Sequence, residues 1–123
     1  MSTSLNWALE RAQADFAALS YPPFSLGQDD TGAPVVLWTP PEASLRFLVS
    51  QERNVEESAA YMAWQLQDYV VMDQHGAWPE VDGRPLFPSS GSGVACWCLG
   101  GKPWCAIGQL QQAITAHHTR ESA

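Results

Sequence analysis

Three cysteines, Cys96, Cys98 and Cys105, lie within the ten-residue stretch "CWCLGGKPWC" and have the widest chemical repertoire in the chain. Thiolates bind zinc, act as nucleophiles and exchange disulfides. Zinc needs four ligands, usually from paired C-x-x-C-like knuckles. Here there is one C-x-C and one distant cysteine, and no spacing singles out His75, His117 or His118 as a fourth ligand. A redox C-x-x-C at a helix start is absent. What remains is a hairpin. Gly100-Gly101 suits a two-residue type I′ loop, which places Leu99 opposite Lys102, Cys98 opposite Pro103, Trp97 opposite Trp104 and Cys96 opposite Cys105. Alternation then puts the three cysteines and Pro103 on one face, with Trp97 and Trp104 on the other. A Cys96–Cys105 disulfide is sterically possible across such a pair. In a reducing compartment the simpler reading is three small buried hydrophobes. The chain therefore implies no cofactor, with a thiol- or zinc-dependent protein built on Cys96, Cys98 and Cys105 as the alternative.

The remaining titratable residues do not converge on catalysis. Asp29-Asp30 sits in turn-forming sequence. Glu56-Glu57 falls at a helix start, where carboxylates offset the helix dipole. Asp73 and His75 close that helix, and His117-His118 lies near the C-terminus. No P-loop, G-x-G-x-x-G, H-E-x-x-H or G-x-S-x-G motif occurs. The balance of features is that of a non-enzymatic protein.

Six tryptophans are many for 123 residues, and Trp is the residue most favoured at binding hot spots. Trp38, beside Pro40-Pro41, and Trp78, before Pro79, are expected to be at least partly exposed. Together with Trp64 they are the candidate binding residues.

The elements that position these residues follow from periodicity. Leu5, Leu9, Ala12, Phe16 and Leu19 form the stripe of an amphipathic helix over residues 4–19. "FSLGQDDTGAPVVLWTPP" predicts two strands around a polar turn, and "ASLRFLVSQ" a third. Asn54 and Glu57 have capping-box spacing, and the helix from Val55 to His75 ends at Gly76, a natural left-handed C′ residue. Its apolar arc, Ala59, Met62, Ala63, Leu66, Tyr69 and Val70, is wide and adjoins Trp64. That places Trp64 at a homodimer contact or partner site, unless the N-terminal helix or the proline-rich loop covers the arc. "WPEVDGRPLFPSSGSG" predicts a short hairpin or irregular loop, then come the cysteine hairpin and a short helix at Ile107, Leu110 and Ile114. Residues 117–123 are expected to fray. The order α-β-β-β-α-loop-β-β-α describes an α+β fold with a mostly antiparallel sheet, in one domain over 1–123.

Composition excludes several partners. Thirteen acids against six bases give a net charge of −7, with a single lysine, Lys102. Nucleic-acid binding needs several cations on one face, and anionic membranes need the same. No apolar run approaches the roughly 20 residues that span a bilayer. The N-terminus carries neither a basic n-region nor an apolar h-region, so the expected location is cytoplasmic. An acidic surface suits a basic protein partner.

"QLQDYVV", Trp78-Pro79, "RPLFP", Cys96 to Cys98 and "AIGQL" resemble a group of small uncharacterised actinobacterial proteins, across about half the chain. The Cys and His residues that follow Trp-Pro in that group are missing here, and with them any metal site; the resemblance implies no activity. The element order is also similar to type III secretion chaperones, which are dimers that bind an effector segment. The expected function is a non-catalytic acidic protein-binding domain, an immunity- or antitoxin-like inhibitor of a basic partner. The alternatives are a secretion-chaperone-like dimer and the thiol or zinc protein.

Overall fold

A computed structural model of the chain describes residues 3–17, 19, 24–38, 45–50 and 53–122. The N-terminal stripe forms α1 (Thr3–Phe16), burying Leu5, Ala8, Leu9, Ala12 and Phe16. It stops short of the expected residue 19. The Leu19 amide bonds back to the Phe16 carbonyl at 3.1 Å, closing a tight turn instead of another helical turn.

Strands β1 (Ser25–Gln28), β2 (Pro34–Trp38) and β3 (Leu45–Leu48) form an antiparallel sheet in that order. Asp29 builds the first turn: its Oδ1 accepts from the amides of Thr31 and Ala33, each at 2.9 Å, and from the Thr31 hydroxyl at 2.7 Å. This local capture is the reason Asp favours such positions.

Helix α2 (Val55–Gln74) starts on the expected capping box. The Glu57 amide donates to Asn54 Oδ1 at 2.8 Å, and the Asn54 amide donates to Glu57 Oε1 at 3.1 Å. Its other end differs from expectation. His75, not Gly76, takes the left-handed conformation, with φ 55° and ψ 36°. The His75 and Gly76 amides both return to the Val71 carbonyl, so the stop falls one residue earlier.

Beyond α2 the chain is more regular than its prolines suggested. A hairpin of β4 (Glu80–Val81) and β5 (Arg84–Pro85) turns on Asp82 and Gly83, both at positive φ as a type I′ loop requires. Strand β6 (Phe87–Ser89), within the segment read as a short hairpin or an irregular loop, joins β7 (Cys96–Leu99) and β8 (Lys102–Ala106) in the antiparallel order β6-β7-β8. Helix α3 (Leu110–Ser122) follows, so residues 117–122 are helical where fraying was expected.

The cysteine hairpin keeps the expected register only beside its loop. Leu99 pairs with Lys102 and Cys98 with Pro103; a bulge then leaves Trp104 as the extra residue, so Trp97 pairs with Cys105 and Cys96 with Ala106. The expected Trp97–Trp104 and Cys96–Cys105 pairs are therefore not formed, and the cysteines are free. Paired residues share a face, so Cys105 lies on the Trp97 side while Cys96 and Cys98 occupy the other. The cause is packing. Trp97 is 0% exposed, between Phe16 at 6.2 Å and Trp78 at 6.1 Å between ring centroids. A thiol fits beside it where a second indole does not, and the bulge moves Trp104 outward against His117.

One continuous buried cluster runs from Leu5 to Leu110 and draws on α1, α2, β2, β7 and the start of α3. Trp38 belongs to it at 1% exposed, ringed by Phe24 and Tyr69. This corrects the expected exposure. Trp38 shares the inward face of β2 with Pro34 and Val36, and alternation outweighs the prolines after it. The architecture is α+β with antiparallel sheets. Among the described residues no helix is long and apolar enough to cross a membrane.

Candidate functional site

The wide apolar arc of α2 is covered from within the chain. Ala59, Met62, Ala63, Leu66 and Val70 are buried, with α1 packed alongside and β6 crossing nearby. Gln67, itself buried, fastens the next segment to the helix: its Nε2 donates to the Trp78 carbonyl at 3.1 Å and to the Leu86 carbonyl at 2.6 Å. That anchorage brings the cis Trp78–Pro79 step and β6 against the C-terminal half of α2.

A groove of about 410 Å³ opens there, lined by Gln67, Val71, His75, Trp78, Pro85 and Phe87. Trp64 extends its rim. The indole is 46% exposed and lies against Phe87, itself 50% exposed, with centroids 6.4 Å apart. Trp78 is half-buried, its inner side on Phe16 at 4.8 Å. Asp68, one helical turn beyond Trp64, is exposed and lines a separate depression with Arg46 and Phe47. Two of the three tryptophans singled out in the sequence thus flank one groove, and Trp38 is remote from solvent. Sequence reasoning missed Phe87 and Val71. Phe87 lies in the segment read as a short hairpin or irregular loop, and Val71 lies just outside the apolar arc read on α2.

The cysteines bear on the alternative reading of a thiol protein. Burial, reinforced by the nearby Asp15 charge and then by the other two thiols, pushes the Cys105 thiol up to about 12. Burial and the neighbouring Cys96 push Cys98 up as well. A nucleophilic thiol is favoured by the opposite shift. Among the described residues no group of three or more His, Cys, Asp or Glu is placed to hold a metal ion.

A second polar constellation was missed altogether. Asp15, on α1, is buried. Its Oδ2 accepts from Trp97 Nε1 and the Gly108 amide, both at 2.7 Å, and its Oδ1 from the Leu110 amide at 3.0 Å. It caps α3 from another helix. Gly108 is required here, since it holds a φ of 106° that residues with a side chain rarely adopt. Arg11, one turn earlier, donates to the Ile107 carbonyl at 3.0 Å and pairs with Glu56 at 2.6 Å; Glu56 in turn accepts from the Ala95 amide at 2.9 Å. Burial raises the Asp15 pKa above its ordinary value, opposed by the Gly108, Trp97 and Leu110 bonds and by Arg11. The bond from Arg11, then that from Ala95, lowers the Glu56 pKa. The visible signal was Asp15 itself, which sits on the helix face of Ala8 and Ala12. Each donor has a defined acceptor in this arrangement, and it stitches α1, α2 and the C-terminal hairpin together.

Comparison with protein-family models, curated proteins and solved structures finds no match. The Trp64–Phe87 groove combines two large exposed aromatics in contact with each other and a formed depression. The Cys98 and Cys105 thiols are shifted away from reactivity and the Asp15 carboxylate is buried, so the groove is the candidate functional site.

Proposed function

We propose that the chain is a non-catalytic protein-binding domain that offers the Trp64–Phe87 groove, set in an acidic surface, to a basic protein, as an immunity- or antitoxin-like inhibitor does. The observation that carries this reading is the pair of half-exposed aromatic rings in tilted contact at the groove rim, 6.4 Å apart at an interplanar angle of 43°. Monomeric domains rarely leave such groups in the open, and buried aromatic anchors dominate interface energetics. The net charge of −7 supplies steering toward a cationic partner. The apolar lining also suits a secretion-chaperone-like dimer that holds an effector segment.

A random peptide library displayed on phage tests the reading. The expected winners combine an apolar anchor with Lys or Arg, associate more slowly as salt rises toward physiological levels, and weaken about tenfold or more on Trp64→Ser, the scale of one lost hot spot. Apolar winners indifferent to salt would move the assignment to the chaperone reading. Winners indifferent to Trp64→Ser would remove the groove from it.

A further inference from the structure

A different groove, of about 380 Å³, runs between α1 and the turn into α3, lined by Trp7, Glu10, Arg11, Ala14, Ile107 and Gly108. Trp7 is 53% exposed, the most exposed large aromatic of the described residues. Glu10 stands three residues on, so both side chains rise from the same face of α1, about 5–6 Å apart at Cβ. Glu10 is exposed, and among the described residues it has no hydrogen-bond or ion-pair partner. The one cation in the groove, Arg11, is engaged on three sides: by Glu56, by the Ile107 carbonyl and, at 3.5 Å, by the Ala95 carbonyl. Its charge is offset by Glu56, which leaves the groove with the net charge of Glu10.

An open indole face beside an unpaired carboxylate is complementary to a planar cation. A guanidinium can stack on the ring while its N–H fork reaches the carboxylate, a geometry that a lysine ammonium does not reproduce. We infer that the Trp7–Glu10 groove is a docking point for an arginine side chain of a basic partner. This deepens the reading of the chain as a binder of basic proteins. It adds a contact on α1 that is separate from the Trp64 rim and names the residue type it receives.

The test uses the full chain labelled with ¹⁵N, its Trp7 indole signal assigned with Trp7→Phe. Acetyl-Gly-Arg-Gly-amide is titrated in, with the citrulline and lysine peptides as uncharged and ammonium controls. The expected result is a saturable shift of the Trp7 indole with the arginine peptide, about fivefold or more weaker with either control and with Glu10→Gln, and weaker again at high salt. Glu10 is exposed, so its variant is expected to fold like the parent. No saturable shift overturns the inference, as does equal binding of the citrulline or lysine peptide, or of Glu10→Gln. The phage selection reads the Trp64 groove independently, so either reading can fail while the other stands.

Discussion

Replacing Asp15 with alanine tests whether the buried carboxylate organises the C-terminal third of the chain. The substitution strands three donors: Trp97 Nε1 and the Leu110 amide in fully buried bonds, and the Gly108 amide in a partly buried one. An unsatisfied buried donor costs about 1–3 kcal/mol, so the two buried ones alone cost about 2–6 kcal/mol. Against this stands relief from burying a charge, the cause that raises the Asp15 pKa. The net loss is therefore expected in the lower half of that range, about 2–4 kcal/mol, a large share of the stability of a domain this size. Urea denaturation followed by tryptophan fluorescence measures it, and amide exchange locates it, with protection lost first at Gly108 and Leu110. Trp97→Phe sharpens the test by deleting one donor while keeping a ring. In the Asp15→Ala background that second change should cost about 1–3 kcal/mol less than in the parent, because the stranded donor is then gone. An Asp15→Ala chain within about 0.5 kcal/mol of the parent, well under the cost of one stranded donor, would refute the reasoning. Strict additivity of the two changes would do the same.

Three other outcomes are expected. Glu56 has a lowered folded pKa, so its contribution is complete above the ordinary carboxyl range and is lost as pH falls through the folded value. The stability gap between parent and Glu56→Gln, from urea midpoints, should therefore close as pH falls below the ordinary carboxyl range; a gap independent of pH would show that Arg11 does not act through the Glu56 charge. Among the described residues the buried Ser58 hydroxyl has no hydrogen-bond partner, so Ser58→Ala should leave thermal stability unchanged or raise it by up to about 1–2 kcal/mol, through relieved desolvation and better helix propensity. A loss above about 1 kcal/mol in calorimetry would mean that the hydroxyl has a partner. Trp64→Ala should cost under about 1 kcal/mol and Trp38→Ala about 3–5 kcal/mol, because only the second empties a core site; equal losses would place Trp64 in the core and remove it from the groove.

What was legible in the sequence was local. The Asn54–Glu57 cap closes within four residues, and the Asp29 turn and Gly100-Gly101 loop are specified by the residues that form them. The pairings beside those loops follow directly, and so do the α+β class and the element order through α2. Features that depend on distant neighbours were misread. The bulge at Trp104 answers a space shaped by Phe16 and Trp78. The edge strand β6 exists because β7 offers it a ladder, although its own "FPS" carries a proline. At the groove, Trp64 and Trp78 stood out by residue type, and Phe87 joins them only because Gln67 reaches two carbonyls 11 and 19 residues away.

The bonds of Asp15 also bear on how the protein is made. Its partners lie 82, 93 and 95 residues further along the chain. At ribosomal speeds of about 5–20 residues per second, α1 therefore waits roughly 5–20 s for the amides that complete its carboxylate. Folding that depends on such late-arriving contacts is slow and cannot be finished piecemeal. A nascent chain halted before Gly108 has an acid on the apolar face of its first helix and neither of the amides that cap it. The turn into α3 must therefore be in place before the Asp15 carboxylate has all its donors.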